Sequence, residues 1–130
     1  MKSSYVLACV ALFCFVALSS QQTTTGYISL SSQQVYLDIP TRGALEYGFL
    51  KIIHNLTKAE KIPKDKYQIF KIITAARQIV DGTDYKFKIE IENEKGTRKI
   101  TSSYTVHRTL KGMYSLRSSD NKIPAQNSLF

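Results

Sequence analysis

A chain of 130 residues with 18 Lys+Arg, 10 Asp+Glu, two Cys and no Trp has the size of one domain. A hydrophobic share of 43% can build a core, which excludes a wholly disordered chain and the biased compositions of collagen, coiled coils and multi-span membrane proteins. The net charge of +8 admits acidic surfaces as partners, but no arginine-rich block points to nucleic acid.

Lys2 is followed by an apolar run over residues 6–18, too short for the about 20 residues that a membrane span needs. A basic start, a short apolar run and small residues behind it (Ala17, Ser19, Ser20) predict a signal peptide over 1–20, and hence a secreted, extracellular protein. A membrane anchor or a buried first helix is the competing reading. Cleavage after Ser19 or Ser20 would remove both Cys9 and Cys14. The remainder then has no disulfide, no catalytic thiol and no thiolate metal site, and its stability rests on its core.

Residues 21–25 read as a loose polar arm, and structure begins near Gly26-Tyr27-Ile28. Val35-Tyr36-Leu37 reads as a short strand. Asp38 or Thr41 is a helix N-cap candidate, with Pro40 in the first turn. Leu45, Phe49, Ile52, Ile53 and Leu56 recur at helical spacing, so one helix is predicted over about 41–60. Tyr47, Lys51, His54 and Lys58 fall on its opposite face. Lys58 and Lys61 suit the negative end of the helix, and Pro63 ends the pattern.

Residues 67–80 are rich in Ile, Phe and Tyr without Gly or Pro, which predicts a long strand. Asp81-Gly82 predicts a two-residue type I′ hairpin turn, with positive φ at both positions. Tyr85, Phe87, Ile89 and Ile91 alternate with Lys86, Lys88, Glu90 and Glu92, as in a strand with one buried and one wet face. A turn at 93–96 leads to a second alternating strand through Ile100, Ser102, Tyr104 and Val106. After Gly112 comes a short last strand at 113–116, and 119–130 reads as a flexible tail. One helix and four or five antiparallel strands, each with one apolar face, make an α+β fold in which helix and sheet cover each other.

Catalytic chemistry is sparse. His54 falls on the solvent face, no Gly-x-Ser-x-Gly supports a triad around His107, and no Gly-rich phosphate loop or His pair at ligand spacing occurs. Glu90 and Glu92 alternate with lysines as a solvated ladder would. No enzyme activity, cofactor or metal is expected. Asn55-Leu56-Thr57 is a glycosylation sequon, to be used if the source is eukaryotic.

Gln78-Ile79-Val80-Asp81-Gly82 matches the Gln-x-Val-x-Gly signature of the cystatins, inhibitors of papain-like cysteine proteases. The surrounding segment IITAARQIVDGTDYKFKIEIE resembles the cystatin strand-hairpin-strand block without a gap. Phe49 and Asn55 keep the Phe-x(5)-Asn spacing of the cystatin helix, with His54 in place of its usual Tyr, and SSYTVHRTLKGMYSLRSS resembles the last two cystatin strands. The resemblance implies a cystatin-like domain over 21–118. It implies a protease-binding wedge made of an N-terminal Gly (Gly26), the first hairpin (Gln78, Ile79, Val80, Asp81, Gly82) and a second hairpin with Leu110 at its tip. The partner it implies is a papain-like, cathepsin L-like protease, met by a monomer, with a domain-swapped dimer left open.

Four departures from the family pattern stand out. The second hairpin usually carries Pro-Trp, and here it reads Thr109-Leu110-Lys111, one residue shorter. The family's N-terminal Gly pair is the single Gly26. Ser102 or Ser103 stands where secreted cystatins carry a cysteine, and Ala59-Glu60-Lys61 lacks the Ser-Asn-Asp that binds legumain in some members. These departures motivate an alternative, a cystatin-fold binding module that does not inhibit and uses a basic surface of Lys51, Lys58, Lys86, Lys88 and Arg98.

Overall fold

The computed structural model describes residues 26–124. The signal-peptide, arm and cysteine readings therefore lie outside the described residues. The elements run β1 (Ile28–Ser29), α1 (Ser32–Leu37), α2 (Ile39–Lys58), β2 (Tyr67–Val80), β3 (Gly82–Asn93), β4 (Lys99–Arg108) and β5 (Tyr114–Lys122). The five strands form one antiparallel sheet in the order β1-β2-β3-β4-β5, with α2 packed against β3, β4 and β5. This is the α+β arrangement expected from the alternating strands and the amphipathic helix.

Val35-Tyr36-Leu37 is helical, not a strand. Ser31 closes a capping box with Gln34: its Oγ accepts from the Gln34 amide at 3.1 Å, and the Gln34 side chain accepts from the Ser31 amide at 2.7 Å. Two satisfied orphan donors outweigh the β preference of a three-residue run. Asp38 then caps α2 through the Thr41 amide at 3.3 Å, so this helix starts and ends two residues earlier than the spacing predicts. Its end is a Schellman turn. Glu60 N–H donates to the Thr57 carbonyl and Lys61 N–H to the Leu56 carbonyl, with Glu60 at φ +60°.

Leu45, Ile52 and Leu56 are buried as the helical spacing requires, and so are Ala44 and Gly48. Gly48 lets helix and sheet approach closely: a Cβ there would overlap the Tyr104 ring and lie 3.0 Å from Val106 Cγ2. Tyr47 is half-buried, not on the solvent face. It stacks on Tyr114 at 5.7 Å between ring centroids, because β5 reaches under the helix and Tyr114 donates to the Pro40 carbonyl at 2.8 Å. The sheet side of the core is Tyr85, Phe87, Ile89, Ile91, Ile100 and Val106, with Lys86 and Lys88 exposed on the outer face.

β5 runs to Lys122, beyond the start of the predicted tail. Residues 118–122 are polar and lack alternation, yet Thr105↔Ser118 through Thr101↔Lys122 are paired. The open edge of β4 supplies their backbone partners, and Ser102 donates to the Asn121 side chain.

Tyr104 is the buried polar joint of the core. Its hydroxyl donates to the Leu45 carbonyl at 2.7 Å, and burial first, then Tyr36, push the phenol well above its usual range near 10. The fold thus favours the neutral phenol. That stability is fully present below about pH 10 and is lost as pH rises further, by about 1.4 kcal/mol per unit. Tyr104→Phe should cost about 1 kcal/mol at neutral pH through the lost hydrogen bond, yet be the more stable of the two above about pH 11. Urea unfolding at both pH values checks the crossover.

Candidate functional site

The first hairpin turns more tightly than expected. Val80 pairs with Gly82, so Asp81 alone joins β2 to β3. Only Gly82 has positive φ, at +97°, so the turn is not type I′. That backbone region favours glycine. Any side chain at Gly82 would also overlap the Arg108 carbonyl oxygen and stand 3.2 Å from the His107 ring. Gly82 is buried beneath β4 and holds the loop in place. The surface of the tip is made by its neighbours, with Ile79 75% and Val80 46% exposed.

The register brings the other sequence-selected residues to this same end. Ile28 pairs with Arg77, which carries Gly26 alongside Gln78, and a Cβ on Gly26 would fall 2.6 Å from Gln78 Nε2. Thr83 pairs with Arg108, so the β4–β5 turn stands next to the first hairpin. That turn is closed by Thr109 N–H to the Met113 carbonyl at 2.8 Å and Gly112 N–H to the Thr109 carbonyl at 2.9 Å. The Met113 amide also donates to Thr109 Oγ1 at 3.0 Å. Leu110 at its tip is 80% exposed. Met113, 68% exposed, shares this turn and was missed by the sequence reading. The available signal was its place between Gly112 and the last strand, where a flexible apolar side chain has no core to enter.

Polar contacts brace the strands behind the tips. Asp84 and His107 are cross-strand neighbours, with Asp84 Oδ1 2.6 Å from His107 Nδ1. Lys86 Nζ lies 4.5 Å from the Tyr27 ring centroid. Partial burial, then Asp84, raise the Tyr27 phenol above its usual value. Arg77 reaches Asp38 at 3.9 Å and ties β2 to the start of α2. The result is a row of three tips (Gly26, Ile79 to Asp81, and Leu110 with Met113) on a braced strand end. It offers apolar side chains and turning backbone, which suits plugging a cleft.

Asn55 is exposed on α2, and its carbonyl accepts from the Ala59 amide at 3.0 Å. The basic residues do not form one surface. Lys51 and Lys58 are exposed on α2, Lys86 and Lys88 on the outer face of the sheet, the side away from that helix, and Arg98 follows the β3–β4 turn. Among the described residues no group of three or more His, Cys, Asp or Glu is placed to hold a metal ion, and no helix is long and apolar enough to cross a membrane.

The family model for the Cystatin domain matches residues 56–118, from the end of α2 into β5. The match takes in both hairpins, and Gly26 lies outside it. No curated protein matches the chain. Sequence match and fold agree over residues 56–118, and both support the resemblance to the cystatin family, whose members are as a rule non-enzymatic inhibitors of cysteine proteases.

Proposed function

We propose that this chain is a secreted, reversible, tight-binding inhibitor of papain-like cysteine proteases of the cathepsin L type. It enters the active-site cleft with the Gly26 segment, the Gln78–Gly82 hairpin and the Leu110 turn. The observation that carries the reading is the meeting of these three segments at one strand end, with Ile79, Val80, Leu110 and Met113 exposed there. A tight hairpin loses little conformational freedom on docking. Apolar tips gain roughly 25 cal/mol for each Å² removed from water. Leu110 lies in the turn that matches the family's Pro-Trp hairpin and supplies part of that area, with Met113 exposed beside it.

The protein without residues 1–20 is expected to inhibit papain stoichiometrically at micromolar concentration. Titration of papain with this protein, read as residual hydrolysis of a peptide substrate, checks it. No inhibition at that concentration would overturn the reading.

A further inference from the structure

We propose that the end of the molecule opposite the three tips binds a sulfated polysaccharide. Segments 57–66 and 94–99 together hold seven Lys or Arg and three Asp or Glu, a surplus of four positive charges within a chain of net charge +8. They are about thirty residues apart in sequence, and the fold brings them together. Glu94 N–H donates to the Lys66 carbonyl at 2.8 Å, and Asn93 Nδ2 donates to Asp65 at 3.3 Å and to Thr97 at 3.0 Å. Between them lies a cleft of about 500 Å³, whose lining includes Lys61, Lys64 and Arg98. That volume suits one or two sugar rings.

Lys99 is balanced by Glu90 at 3.9 Å, whereas Lys61, Lys64 and Arg98 share the cleft with one acid, Glu60. Asp65 accepts from the Lys66 amide at 2.7 Å as well as from Asn93, so its carboxylate is engaged within the fold. The wall is set before any ligand arrives: Tyr67 donates to the Pro63 carbonyl at 2.8 Å, and Ile62 anchors the connector in the core at 4% exposure.

Charge complementarity calls for a polyanion, and the surroundings select the kind. None of the large exposed apolar side chains among the described residues lies in these two segments, so nothing there would insert into a lipid surface. Phe70, exposed beside these segments, already carries the Lys99 ammonium over its ring at 4.7 Å, and Tyr67 is half-buried, so the aromatic rings at this end are poorly placed for stacking on bases. A recessed cleft ringed by lysine and arginine fits a flexible chain bearing sulfate groups. β2 alone spans about 40 Å from this cleft to the tips, so both ends can be occupied at once. The inference rests on the cleft and stands apart from the inhibitor reading.

The test uses heparin as probe, with binding followed over a range of salt concentrations. Lys61→Glu/Lys64→Glu is compared with the charge-matched Lys51→Glu/Lys88→Glu, all four side chains being exposed. The cleft pair should weaken binding by about tenfold or more and lower the slope of log K against log salt by about two, while the control stays near the parent. Glu60→Gln should tighten binding more than Glu46→Gln does. Equal losses in both lysine pairs, no binding by the parent, or no difference between the two glutamate variants would overturn the assignment. So would equally tight binding to phosphatidylserine vesicles or single-stranded DNA that is lost in the same cleft variant. Papain titration of the same variants reads the inhibitor function separately.

Discussion

Gly48→Leu is expected to abolish the cooperative unfolding transition at room temperature. A Cβ at this position would overlap the Tyr104 ring, and the ring has nowhere to go. Its hydroxyl is held by the Leu45 carbonyl at 2.7 Å, its face lies 5.5 Å from the Phe87 ring, and the residue is 3% exposed. For Gly48→Ala two effects compete. Alanine gains about 1 kcal/mol of helix propensity, and overpacking costs about 1–3 kcal/mol. The result is a loss of up to about 2 kcal/mol. Leucine adds three more carbons at the same spot with no further propensity gain, so the helix must lift from the sheet. The cost then rivals the whole stability of an ordinary domain, about 5–15 kcal/mol. Circular dichroism during urea unfolding should rank the parent above Gly48→Ala, and Gly48→Leu without a transition. A leucine variant as stable as the parent would show that the helix does not rest on this contact.

Gly82→Ala should weaken inhibition of papain by about 30- to 1000-fold, equivalent to about 2–4 kcal/mol, while the domain still folds. At φ +97° an alanine is strained by about 1–3 kcal/mol. Its methyl group would also meet the Arg108 backbone, which cannot rotate away as a side chain can. The hairpin must shift off β4, and the Ile79 to Asp81 tip then loses its fixed position relative to Leu110 and Met113. Preorganised wedges lose affinity steeply when their tips move independently, because ordering them is charged to binding. Val80→Ala removes only a partly exposed side chain and should cost less, near 1 kcal/mol or about fivefold. Inhibition constants measured beside melting temperatures separate the two effects. Parent-like inhibition by Gly82→Ala would remove this hairpin from the contact set.

The features legible in the sequence are those whose cause is local. Tyr85 to Glu92 alternates because the pleat has period two, and Leu45 to Leu56 recurs because a helix has 3.6 residues per turn. Both patterns survive any tertiary environment that offers one apolar face. The Gln78–Gly82 signature placed the hairpin, since a glycine between two strand-like runs has few other uses. The Ser-x-x-Gln spacing of the capping box at Ser31 and Gln34 is local too, but the sequence reading takes the strand-like Val35-Tyr36-Leu37 in its place.

Other features depend on what a distant segment supplies. β5 extends over polar residues because β4 offers its backbone edge, and hydrogen-bond pairing leaves no trace in side-chain pattern. Tyr47 is covered because Tyr114 arrives beneath it. Gly48 and Gly82 are required by overlaps with β4, far along the chain, so their meaning lies in atoms that sequence spacing does not locate. Gly26 meets Gln78 only through the β1–β2 register, and Lys61, Lys64 and Arg98 share a cleft only because two turns meet at one end of the sheet. By itself, then, the sequence determined the helix, the strands, the hairpin and the cystatin resemblance, through local periodicity and turn chemistry. Tertiary structure alone decided which tips stand together and which charges converge, because both depend on strand register and close packing between segments remote in the chain.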